Sequence, residues 1–70
     1  MTEIRAEMVA SVWRIMAAPG DAVAEGDTLV ILESMKMEIP VLAEEPGILT
    51  RLAVAEGDVI GEGDLIAVIE

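Results

Sequence analysis

The sequence predicts an all-β domain built from two copies of one antiparallel unit. Three observations carry that expectation. An internal repeat comes first: Gly20 to Glu33 reads GDAVAEGDTLVILE, and 37 residues later Gly57 to Glu70 reads GDVIGEGDLIAVIE. Six of the 14 positions are identical, and most others exchange one apolar residue for another. The second is a recurring turn signature, Pro19-Gly20-Asp21, Glu25-Gly26-Asp27, Glu56-Gly57-Asp58 and Glu62-Gly63-Asp64. Glycine supplies positive φ there, and aspartate bonds its own nearby backbone. The third is the length of the apolar segments between these turns, which reach about five residues and are rich in Val, Ile and Leu. Such segments suit strands rather than helices. Each copy alone would expose an apolar face, and pairing the copies about a pseudo-two-fold axis buries both.

Size and composition bound the function. Residues 1–70 make one domain. A chain this short buries only about 60% of its unfolded surface, and small folds often add disulfides or metal. With no cysteine and no histidine, neither staple is available. No acidic stretch has the alternating oxygen-ligand spacing of a calcium loop, so no metal site is expected. An apolar run of about 20 residues is needed to cross a membrane as a helix, and none occurs. The start, Met1-Thr2-Glu3-Ile4-Arg5, lacks the basic and apolar regions of a secretory signal. A monomeric cytoplasmic protein is expected. The formal charge of −10 argues against nucleic acid and against anionic membranes as partners. It favours solubility and docking to basic patches.

Taken in order, Glu3 to Met8 is the first expected strand, with Ile4, Ala6 and Met8 alternating to one side. Ser11 to Ala17 is the second. Its anchors Val12, Ile15 and Ala17 are spaced three and then two apart, and Leu49, Leu52 and Val54 repeat that spacing. Strict alternation allows only even spacings, so each copy is expected to carry a β-bulge. That leaves Trp13, the only aromatic residue, off the main apolar face as cover for a sheet edge. Thr28 to Glu33 is a buried strand, and Met37 to Ala43 runs back beside it. Ser34-Met35-Lys36-Met37 is the tight turn between them, so this hairpin bridges the two copies. Pro40 lacks an N–H and belongs on an edge strand or at a bulge. Pro46-Gly47 makes the next turn, and Ile48 to Val54 and Leu65 to Ile69 complete the second copy. The symmetry places the termini together, at the end opposite Lys36.

Lys36 is the only lysine, one of four basic residues. On a hairpin tip its amine is solvated, and Glu33 and Glu38 favour its ammonium form. A catalytic amine needs burial or cationic neighbours instead. No His, Cys or Tyr offers a nucleophile–base pair. The chain is therefore expected not to be an enzyme. A projecting amine on a rigid acidic platform suits acylation by another enzyme. The adaptable side chains of Met35 and Met37 suit recognition of the tip by several partners, and alternation leaves at least one of them exposed.

The stretch Glu33-Ser34-Met35-Lys36-Met37-Glu38 resembles the attachment motif of biotin carrier domains, in the biotin/lipoyl attachment family. The likeness extends over the whole chain, including the Gly-Asp turns, and is closest to free-standing, single-domain biotinylated proteins. It implies a flattened antiparallel β-barrel, a barrel-sandwich hybrid of two four-stranded sheets. It implies Lys36 as the acceptor of covalent biotin, with Glu33, Ser34, Met35 and Met37 forming its recognition tip. The implied partners are biotin protein ligase, biotin carboxylase and carboxyltransferase. Carboxyl groups would travel between the last two on biotin. Lipoyl domains usually carry Asp-Lys-Ala at this turn, so the two methionines favour biotin over lipoate. A lipoyl carrier, or an unmodified acidic interaction module, remains the alternative. Two departures are Ser34, where alanine is commonest, and Val9-Ala10, where Pro-Gly is usual.

Overall fold

The computed structural model describes residues 1–70. It contains eight strands: β1 (Thr2–Arg5), β2 (Ala10–Ile15), β3 (Ala22–Val23), β4 (Thr28–Ser34), β5 (Met37–Leu42), β6 (Gly47–Leu52), β7 (Val59–Ile60) and β8 (Leu65–Ile69). They form two four-stranded antiparallel sheets, ordered β1-β8-β6-β3 and β5-β4-β2-β7. No helix is long and apolar enough to cross a membrane.

Shifting by 37 residues carries each strand of the first half onto one of the second. The sheets do not follow that division. Each takes two strands from each copy, so the copies interleave rather than stack. A half-chain would leave β2 and β4 without their sheet partners β7 and β5. The core between the sheets is apolar throughout, with Val12, Leu29, Val30, Leu49, Ile66 and Ile69 fully enclosed. No polar or charged residue is buried.

The expected bulges occur. Trp13 is the extra residue in β2 opposite β4, and Thr50 is its counterpart in β6 opposite β8. A second symmetric pair, at Leu29 and Ile66, was not anticipated. These bulges let neighbours such as Leu29 and Val30 both face the core.

Three expectations need correction. The second strand and its repeat end at Ile15 and Leu52 rather than Ala17 and Val54. The first strand ends at Arg5, not Met8. Ala6 leaves the ladder to exchange hydrogen bonds with the Gly63 turn, its N–H donating to Asp64 O and its carbonyl accepting from Gly63 N–H. The short strands β3 and β7 were missed as strands, because two residues carry no readable alternation. Pro40 lies on β5, an edge strand, where its missing N–H costs nothing.

All four Gly-Asp turns share one construction. Gly20, Gly26, Gly57 and Gly63 have φ between 88° and 98°, as the third position of a type II turn requires. A Cβ at any of them would meet nothing within 4 Å, so backbone conformation rather than space selects glycine. Each aspartate closes its turn twice. In the second turn Asp27 N–H donates to Ala24 O at 3.0 Å, and Asp27 Oδ2 accepts from Ala24 N–H at 2.8 Å. Ala18–Asp21, Ala55–Asp58 and Gly61–Asp64 repeat the pair.

Candidate functional site

Lys36 sits where β4 turns into β5. Ser34 pairs with Met37, leaving Met35 and Lys36 as a two-residue loop. Their φ values are 52° and 65°. Positive φ at both central residues is the type I′ geometry whose twist matches that of the flanking strands. Asn-Gly is the usual occupant, and the left-handed region costs other residues about 1 kcal/mol or more each. This chain places glycine at every other positive-φ position. At the tip it holds a methionine and a lysine in that conformation instead.

The tip is open. Met35 is 92% exposed and Met37 65%, so both methionines project rather than fill the core. Lys36 is exposed and makes no ion pair or side-chain hydrogen bond; the one salt bridge in the molecule joins Arg5 to Glu3 at 2.8 Å. Its amine is unencumbered, which fits covalent attachment of an acyl group there. Glu33 and Glu38 are exposed and stand directly opposite each other across the ladder, and Ser34 is half-buried at the end of β4. The five residues Glu33, Ser34, Met35, Lys36 and Met37 are thus brought together by one hairpin. No enclosed cleft surrounds them. The apolar groove between the edges of β1 and β5 is lined by repeat-related pairs, Ile4 with Val41 and Ala6 with Ala43, and Lys36 is not part of its wall.

The base of the same hairpin leads to the chain ends. β5 runs from the tip at Met37 to Leu42, and beyond it the Glu45 carboxylate accepts a hydrogen bond from the Thr2 hydroxyl. Thr2 in turn pairs with Ile69. The termini therefore lie together at the end away from Lys36.

Trp13 is 43% exposed on the outward side of β2, with the Arg14 guanidinium 4.7 Å from its ring centroid. β7 does not extend alongside it; Ile15 N–H is satisfied by the Glu56 carboxylate at 3.2 Å instead. Spacing had placed the indole off the core. Its position on one sheet face with Ile31 and Pro40 depends on strand register.

A family model described as "Biotin-requiring enzyme" matches residues 2–69. A biotinylated protein TB7.3 homolog from Mycolicibacterium smegmatis is 66% identical over 41 residues, 59% of this chain and 58% of that relative. The matched stretch thus spans a little over half of that relative's length. Among solved structures, the Kluyveromyces lactis urea carboxylase superposes with a TM-score of 0.92 at 36% identity, over 99% of this chain and 6% of that one. The lipoyl domain of the 2-oxoglutarate dehydrogenase complex from Azotobacter vinelandii superposes with a TM-score of 0.78 at 25% identity, over 96% and 95% of the two chains.

Proposed function

The chain belongs to the biotin/lipoyl attachment family, and from that premise we propose that it is a biotin carrier whose acceptor is Lys36. The observation that carries this reading is the tip itself, with the only lysine held in a strained, fully projecting turn between two exposed methionines. A structural turn at this point would gain stability from Asn-Gly. Retaining Met-Lys in the left-handed region is explained by a need for that amine at that place.

Biotin protein ligase would supply the biotinyl group as biotinyl-AMP. The deprotonated Lys36 Nζ attacks the acyl carbon, the amide C–N bond forms, the bond to the phosphate oxygen breaks, and AMP leaves. The amine loses two protons from its ammonium form over the whole step. This chain contributes the amine and its placement; no side chain here is positioned to act as the base. Once attached, biotin supplies a carrier for carboxyl groups between a biotin carboxylase and a carboxyltransferase. The chain's own part is then to keep the attachment point projecting on a rigid hairpin. Domains of this family are generally non-catalytic, and this one would act as a substrate of its partner enzymes.

Intact-mass measurement after incubation with ATP, biotin and biotin protein ligase tests the assignment. A gain of one biotin less water is expected, and Lys36→Arg should abolish it. A ligase active on another carrier but inert on this chain overturns the reading. The methionine flanks favour biotin over lipoate, and a lipoyl adduct on protein isolated from its own cells would reverse that choice.

A further inference from the structure

The internal repeat provides a control for the sheet surfaces. Positions 37 residues apart occupy equivalent backbone sites, so folding makes similar demands on both. On the outward face of the sheet that carries Lys36 lie Trp13, Met16, Ile31, Pro40 and Leu42. The equivalent positions on the other sheet hold Thr50, Ala53, Val68, Glu3 and Arg5. Trp13, Met16 and Leu42 are 43%, 53% and 44% exposed. Two positions run the other way, with Ile48 where the first face has Ser11 and Met1 where it has Glu38. Both faces carry an arginine at the centre, Arg14 and Arg51, but only the first surrounds it with an indole, a proline and a leucine, where its twin has Thr50, Glu3 and Arg5. At Trp13, Pro40 and Leu42 stability gives no reason for that difference, because Thr50, Glu3 and Arg5 show that the fold accepts polar residues at these positions.

Three further observations indicate what covers this face. It is continuous with the tip: Ile31 is five residues from Lys36 along the chain, at most about 17 Å at strand rise. A standard interface of about 800 Å² per partner, roughly 16 Å in radius, covers both. Between them the directly opposed Glu33 and Glu38 carboxylates repel each other, a cost that a cationic partner group relieves. Finally, Arg14 lies against the Trp13 ring, which holds the indole in place before any partner arrives. A second copy of this chain is a poor occupant, since each copy carries −10.

We propose that this face, centred on Trp13, Ile31 and Pro40, is the surface by which biotin protein ligase recognises the unmodified carrier, through an apolar patch flanked by cationic side chains. The inference rests on the assignment of Lys36 as acceptor. Chemistry selects the ligase over the carboxylase enzymes. Before acylation, only protein surface distinguishes this lysine from any other on a turn. After acylation, biotin itself is available to be recognised.

Steady-state biotinylation of the full chain, with ATP, biotin and biotin protein ligase, tests this. The variants are Trp13→Thr and Pro40→Glu, each installing the residue the fold already carries at the equivalent site. Each should raise KM for the carrier about tenfold and leave kcat near its wild-type value, while Thr50→Trp on the other sheet changes neither. Met16→Ala, at the rim, should give a smaller rise in KM. An unchanged KM in the Trp13→Thr, Pro40→Glu double variant overturns the docking face and leaves the Lys36 assignment standing. Absence of any wild-type mass gain overturns the Lys36 assignment itself. Sedimentation showing a dimer that the same substitutions dissolve would assign the face to a second copy and overturn the proposal.

Discussion

The pseudo-two-fold axis relates two equivalent ladders, β4–β5 in one sheet and β8–β1 in the other, that end differently. At one end Leu32 pairs with Ile39, and the strands run on into the Met35-Lys36 turn. At the other, Ile69 pairs with Thr2 at equivalent positions, and the strands run out as the chain termini. The closed end stores left-handed strain in two non-glycine residues and projects an amine. The open end has no loop, and close backbone packing holds it together. Gly47 shows the packing: a Cβ there would lie 2.6 Å from Glu70 O and 2.8 Å from Ile69 Cγ2. Its counterpart on the other sheet is Ala10, whose methyl is buried without conflict. The lesson is that the repeat constrains the strands, while each end is shaped by what it must do.

Breaking the open end should have the largest effect on stability. Gly47→Ala forces β6 from the C-terminal strand and should cost about 2–3 kcal/mol, read as a lower urea midpoint. If Gly47→Ala unfolds at the wild-type midpoint, the close approach is not what holds that end. The closed end should respond in the opposite direction. Replacing Met35 by Asn and Lys36 by Gly relieves the left-handed strain and should stabilise the fold by about 1–2 kcal/mol, while removing the proposed acceptor. A loss of stability in that double variant would show that Met35 and Lys36 contribute contacts outweighing the strain. The smallest effect tests the ordinary turns against the tip. Asp27→Ala removes the acceptor of Ala24 N–H and should cost about 1 kcal/mol, with Asp64→Ala costing a similar amount at its repeat partner. Unequal values in thermal melts would mean that the two halves do not share stability evenly.

Features with a local cause were legible in the sequence. Glycine followed by aspartate marks a positive-φ turn closed by its own carboxylate, and all four turns are built that way. The odd spacing of Val12, Ile15 and Ala17 announced the bulge at Trp13, because alternation admits no other account. Lys36 could be placed on a tip and both methionines near it, since an apolar strand on each side leaves little else for Ser34 to Met37. The motif's likeness to biotin carriers added the acyl group, which the physical chemistry of a solvated amine could not name.

Features that depend on which strand lies beside which were not legible. Sequence alone determined two equivalent halves, their turns, their bulged second strands and a lysine on the bridge between them. Only the tertiary structure decided that the halves exchange strands, since hydrogen bonding across a sheet leaves no periodicity along the chain. It also brought Ala22–Val23 and Val59–Ile60 into sheets as two-residue strands, and it gathered Trp13, Ile31 and Pro40 onto one face through register. Above all it set Met35 and Lys36 at positive φ. Neither residue prefers that conformation, and the twist of the two strands that the turn must join imposes it.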